Sequence, residues 1–246
     1  MRHSFALGLL LVLSCAFAVV SEADTPASQT GLVYHEDFLK HDMGPDHPER
    51  PDRLRAIMAG LDASGLLASL ARIDPRPAAD RWITTVHTPP YLASLEAASK
   101  RAPVQLDPDT VLGSESLRVA KLVAGGVLAA VDAVATGRVQ NAFAIVRPPG
   151  HHALPDRAMG FCLLNHIAIA ARYAQRQHGL KRILIVDWDA HHGNGTQDMF
   201  YEDPSVFFFS THQSLAYPGT GYSNETGQGA GAGTTLNVML EKGEGE

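Results

Sequence analysis

Cysteine is nearly absent from this chain. Only Cys15 and Cys162 occur in 246 residues, so a disulfide framework does not hold the fold together. No block or stripe of basic residues occurs, and the net charge is −6. That argues against nucleic acid as a direct partner. There is no internal repeat and no low-complexity tract; the glycine-rich stretch from Gly227 to Gly233 is short enough to be a loop. Charged residues are few, at 19%, beside 45% hydrophobic residues. This balance excludes a disordered chain and predicts a large core, with length for one α/β domain or a large piece of one.

The one long hydrophobic run lies at the start. Met1-Arg2-His3 supplies positive charge, and Phe5 to Val20 is apolar apart from Gly8 and Ser14. Ala16-Phe17-Ala18 places small residues where a signal peptidase cuts. Residues 1–23 are therefore expected to be a secretory leader, cleaved at Ala18, with an exported, periplasmic or secreted product. Cys15 after Val12-Leu13-Ser14 leaves a lipoprotein signal open. The run is short for an uncleaved span, so no transmembrane segment is expected in the mature chain. Only Cys162 would then remain.

The rest alternates strand-like and helix-like segments. Gly31 to Tyr34, Phe143 to Val146, Ile183 to Asp187, Val206 to Ser210 and Thr234 to Leu240 read as strands, and Trp82 to His87 as a short strand or turn. Arg50 to Leu61, Pro90 to Ser99, Ser114 to Thr136, Asn165 to Gln177 and Gly195 to Tyr201 read as helices. This order predicts an α/β fold of three layers, α/β/α, around a mainly parallel sheet.

Two strand ends carry the chemistry. Ile183 to Val186 runs directly into Asp187-Trp188-Asp189-Ala190-His191-His192-Gly193-Asn194-Gly195. Asp187, Asp189 and His191 alternate, so an extended chain points all three to one face. They lie where a parallel sheet places its ligand sites. A carboxylate and an imidazole together suit a Zn²⁺-type ion. The second constellation is Arg147-Pro148-Pro149-Gly150-His151-His152-Ala153, a rigid turn presenting adjacent imidazoles suited to acid–base work. Their tautomers need partners, and Asp187 and Asn194 are candidates.

These segments resemble the zinc-dependent histone deacetylase and acetylpolyamine amidohydrolase family, which has the arginase/deacetylase fold. The resemblance also rests on Gly160-Phe161-Cys162-Leu163-Leu164-Asn165, Tyr217-Pro218-Gly219-Thr220-Gly221, His47-Pro48-Glu49-Arg50-Pro51 and Asp107-Pro108-Asp109-Thr110. It covers about residue 31 to the end, and Asn194 is more like the class II and bacterial branches. The resemblance implies that Asp189 and His191 ligate zinc and that His152 is the general base. It implies that His151, paired with Asp187, is charged and stabilises an oxyanion. Gly160, Phe161 and Tyr217 would line a narrow tunnel for an acylated amine, with Asp109 at its mouth. A K⁺ site would involve Asp187, Asp189, His191, Ser210 and Thr211.

One departure is plain. The family's third zinc ligand, an Asp on a later strand, and its carbonyl-polarising Tyr have no counterpart before Glu246. Asp198 and Asp203 are poorly placed substitutes. Residues 24–246 are accordingly expected to be the N-terminal two-thirds of such a domain, with the C-terminal part missing. The expected function is zinc-dependent removal of acetyl from acetyl-lysine or a small N-acetylated amine such as an acetylpolyamine. Export would favour the small amines over histones. The alternatives are a truncated, inactive or binding-only homologue and an arginase-like ureohydrolase. Oligomeric state is not legible in the sequence.

Simpler roles stand beside these. Asp187 and Asp189 could cap a turn, as could Asp109. Phe161 and Tyr217 could be core aromatics, and Cys162 a small buried hydrophobe. His47, His87 and His212 are expected to be structural hydrogen-bonders, and His192 to lie behind the site.

Overall fold

The computed structural model describes residues 29–244. The expected leader and Glu246 lie outside the described residues. The chain opens with β1 (Thr30–Val33), α1 (Asp52–Ala63), β2 (Ala71–Ile73), α2 (Asp80–Ile83) and α3 (Pro89–Ser99). A short hairpin follows, β3 (Val104–Asp107) and β4 (Thr110–Leu112), and then the long α4 (Ser116–Ala135). The second half holds β5 (Asn141–Ala144), α5 (His166–His178), β6 (Ile183–Asp187), α6 (Asn194–Phe200), β7 (Val206–Gln213) and β8 (Thr235–Leu240).

Local chemistry sets several of these boundaries. Thr88 caps α3 by accepting from the Tyr91 N–H at 3.3 Å, and Pro89 and Pro90 occupy the first turn, where no backbone donor is needed. Asn165 caps α5 through the Ala168 N–H at 3.1 Å, and Gly179, in the left-handed region, ends it. The segment from Trp82, expected as a strand or turn, instead begins inside the one-turn helix α2. The hairpin β3–β4 was not expected from the hydrophobic pattern.

The large strands pair in parallel, as expected: β2-β1-β5 in one ribbon and β6-β7-β8 in the other. Helix α4 is the centre of the molecule. One side of it packs Val119 and Val123 with Leu32, Val33 and Ile73 of the first ribbon and with Ile145 just after β5. Its other side packs Ala120 and Ala124 with Leu95 of α3 and Ile169 of α5. A third cluster joins Ala168 and Ala171 of α5, Phe200 of α6 and Ile185, Val206 and Phe208 of the second ribbon.

The opposite face of β6-β7-β8 has no such cover among the described residues. Leu184, Val186, Phe207 and Leu236 share it and are exposed, as are Phe143 on β5 and Trp188 beyond β6. A groove of about 430 Å³ lies between β5 and β6, lined by Ala144, Val146, Ile167, Ile185, Val186 and Trp188. Parallel strands are normally buried on both faces, and bare edges with apolar side chains template association. Leu184→Lys is therefore expected to lower self-association of this chain without unfolding it; unchanged light scattering at equal concentration would contradict this.

Candidate active site

The loops after β5 and β6 bring the two histidine motifs together. His151 Nδ1 lies 2.9 Å from Asp187 Oδ2, and His152 Nδ1 lies 2.8 Å from Asn194 Oδ1. The two imidazoles stand 4.0 Å apart, centroid to centroid. In each pair the oxygen accepts, so Nδ1 carries the proton and Nε2 is free for chemistry. Burial first, and then the neighbouring His151, push the His152 pKa down to about 4 against the opposing bond from Asn194. His152 is thus a neutral base near pH 7. Burial disfavours the Asp187 carboxylate, but the bond and charge of His151 and the Asp189 N–H outweigh it and hold its pKa below the ordinary value.

Asp189 and His191 sit at the rim. The His191 N–H donates to Asp189 Oδ1 at 2.8 Å, and His191 Nδ1 lies 3.2 Å from the same oxygen. Both side chains are about half exposed, at 51% and 48%. They open onto a cavity of about 530 Å³ that also holds His151, His152, Asp109, Gly160, Phe161 and Tyr217. The Tyr217 ring meets the His152 ring edge to face at 5.0 Å, and burial raises the Tyr217 pKa, so its hydroxyl stays protonated. Asp109 Oδ1 accepts from the Gly160 N–H at 3.2 Å and from Thr110 at 2.9 Å. It is thus both a turn-fixing group and part of the cavity lining.

Two glycines permit this closeness. A Cβ on Gly160, whose φ is +56°, would come within 2.4 Å of the His152 ring, and one on Gly193 within 2.1 Å of Asp187 Oδ2. Either position would displace a catalytic candidate if it carried a side chain.

Ser210 pairs in register with Asp187 but is fully buried, and its hydroxyl meets His212 Nδ1 at 2.9 Å. His192 contacts Thr220 and Gln197 behind the site. His87 lies between the Leu154 carbonyl and the Asn165 N–H, and Cys162 is buried with its thiol pKa raised by that burial. These are the structural roles expected of His87, His192, His212 and Cys162. His47, also expected to be structural, packs on Phe161 at 4.6 Å.

Sequence reasoning gave no role to Glu49, Arg53 or Arg147. Glu49 and Arg53 line the cavity. Arg147, 1% exposed, makes a two-pronged pair with Glu49 at 2.9 and 2.8 Å and donates to the His41 carbonyl at 2.6 Å. This pair fastens the turn that carries His151 and His152 to the His47–Pro51 segment. Glu49→Leu strands a buried guanidinium and is expected to cost ~3–5 kcal/mol, readable as a lowered urea midpoint; a midpoint within experimental error of the parent would contradict it.

Asp189 and His191 together offer one oxygen and one nitrogen donor of the kind a first-row divalent cation takes. Among the described residues no three His, Cys, Asp or Glu side chains are grouped to hold a metal. The donor set is therefore suitable in type and one ligand short of a three-residue catalytic site.

Paired histidines and carboxylates just past the ends of two parallel strands lie where α/β folds place their ligand sites. Residues 47–246 match the histone deacetylase domain, and the chain belongs to the histone deacetylase family. A probable deacetylase of Archaeoglobus fulgidus is 45% identical over 219 residues, covering 88% of this chain and 60% of the relative. A histone deacetylase-like amidohydrolase of Pseudomonas aeruginosa is 42% identical over 201 residues, covering 81% and 53%. The crystal structure of the HDA15 HD domain superposes with a TM-score of 0.82 at 42% identity, covering 86% of this chain and 62% of that one. The chain thus spans a little over half the length of these relatives.

Proposed function

We propose that this chain supplies the base, the oxyanion-stabilising group and two zinc ligands of an amidohydrolase that removes acetyl from a small N-acetylated amine or acetyl-lysine. The observation that carries this proposal is the pair of hydrogen-bonded couples, His151–Asp187 and His152–Asn194, side by side in one cavity with Asp189 and His191. A zinc ion bound at Asp189 and His191 would polarise the acetyl carbonyl and acidify a water. His152, held neutral, takes a proton at Nε2 and returns it to the leaving amine. His151, with Asp187 behind it, carries positive charge toward the developing oxyanion. Phe161 and Tyr217 wall the approach, and Asp109 offers a carboxylate to a cationic amine at the mouth.

The third ligand in this proposal arrives on further strand filling the groove between β5 and β6. That groove opens on His151, Asp187 and Asp189 as well as on bare apolar side chains. Asp198 and Asp203 do not line the catalytic cavity; Asp203 is engaged with Arg172. Potassium at Asp187, Asp189, His191, Ser210 and Thr211 belongs to the same proposal; thermal stability in KCl against choline chloride tests it, and equal values would remove the ion. Export belongs to it too. No described helix is long and apolar enough to cross a membrane, and N-terminal sequencing of the protein from its own cells would show whether Ala18 is the cleavage point.

Asp189→Ala is expected to lose bound zinc; stoichiometric zinc in that variant would end the ligand assignment. Acetate and urea assays run together separate the amidohydrolase from an arginase-like ureohydrolase, and tight binding of an acetylated amine with neither product would favour a binding-only role.

A further inference from the structure

A groove of about 790 Å³ lies on another part of the surface and shares no residue with the histidine cavity. Four arginines line it: Arg72, Arg76, Arg81 and Arg138. All four are exposed. None forms an ion pair among the described residues, whereas Arg55, Arg118, Arg147 and Arg172 each hold a carboxylate. Arg101, Arg157, Arg176 and Arg182 are unpaired too but lie outside the groove; in a chain that is acidic as a whole, four arginines around one concavity depart from the average surface.

Two carboxylates also line the groove, Asp74 and Asp132. Asp132 is already occupied. Both its oxygens accept from the Tyr173 hydroxyl, at 2.8 and 3.0 Å, and Oδ1 lies 2.7 Å from His178 Nε2. Four guanidinium groups against these two carboxylates leave the lining positive.

The arginines stand on fixed backbone. Arg72 is on β2, in register with Leu32. The segment from Asp74 to Ala79 is clamped to α4: Ala78 N–H donates to the Lys121 carbonyl at 2.8 Å, and the Arg76 carbonyl packs so closely on Gly125 that a Cβ there would lie 1.6 Å from it. Arg81 is the second residue of α2, with its guanidinium 5.5 Å from the Trp82 ring. Arg138 follows Gly137, and the Val139 N–H bonds the Ala133 carbonyl at 3.2 Å to close that turn. Guanidinium groups held in a concavity focus positive potential and present forked donors that match phosphate oxygens.

We propose that this groove binds a small soluble molecule carrying two or more phosphate groups, independently of the amide chemistry. The test is calorimetric titration of the whole chain with inorganic tripolyphosphate and, in parallel, with inorganic phosphate. One-to-one binding of tripolyphosphate is expected, weakened about tenfold or more in Arg72→Ala/Arg138→Ala and again in Arg76→Ala/Arg81→Ala. Raising salt from ~50 to ~200 mM should weaken it several-fold. Arg176→Ala/Arg182→Ala removes two exposed arginines outside the groove and should leave affinity unchanged. Absence of binding up to millimolar tripolyphosphate, an equal loss in the outside pair, or equally tight binding of single phosphate would each overturn the proposal.

Discussion

Replacing His152 by alanine is expected to lower kcat by roughly 10²–10⁴-fold while zinc content stays that of the parent. His152 is 4% exposed, its Nδ1 is tied to Asn194, and its ring stands 6.0 Å from the His191 ring and 5.0 Å from that of Tyr217. It is next to Asp189 and His191, the proposed metal donors, without being one. A merely structural histidine would change stability and KM together with kcat. A base changes kcat and leaves the metal in place. Asn194→Ala should act in the same direction with a smaller loss, because it frees the imidazole to rotate or change tautomer and does not remove it. Unchanged turnover in His152→Ala would take His152 out of the mechanism.

The second large effect is on stability in acid. His87, His166 and His192 are buried, and burial is the main cause pushing each pKa from 6.5 to about 4. Burial and then the Arg147 charge push that of His41 further, to about 3. His41 Nε2 does lie 3.5 Å from Glu49 Oε2, but Arg147 already holds that carboxylate, so the imidazole stays neutral. Each group has a lower pKa folded than unfolded. The unfolded chain therefore binds more protons between pH 6.5 and 4, and stability falls as pH falls through that window. Near pH 5 each histidine costs roughly 2 kcal/mol, and the four together rival the ~5–15 kcal/mol of a whole domain. The urea midpoint should fall steeply from pH 7 to pH 5, and a flat profile would contradict the buried-neutral assignment. His87→Gln should flatten part of the slope.

The candidate cluster was legible because its members are neighbours in sequence just past the ends of two apolar strands. Only Asp187 lies on β6; Asp189 and His191 sit in the bend beyond it, tied by the His191 N–H to Asp189 Oδ1, so the extended alternation read from the sequence ends at Asp187 and the loops bring the groups together. The pair Glu49–Arg147 was not legible, because its partners are 98 residues apart and only the packed turn brings them together. The hairpin β3–β4 was hidden for another reason: strands of four and three residues are too short to show a period. The segment from Trp82 to His87 read as a short strand or turn because Trp82 and Ile83 are bulky and apolar; Thr84 to His87 do turn, but Trp82 and Ile83 belong to α2. They are helical because Ile83 is buried in the α3–α4 cluster while the turn bonds run back to Ala79 and Asp80. The groove with four arginines had no sequence signal at all, since β2, the connection to α2, α2 itself and the turn after α4 contribute one each.

Acetate release by the protein purified from its own cells, with an N-acetylated diamine as substrate, tests the central claim most directly. Acetate and free amine are expected in equal amounts, with no urea, complete loss of turnover at saturating chelator and recovery on adding zinc. Urea as a product, or acetate release that persists at saturating chelator, would contradict it.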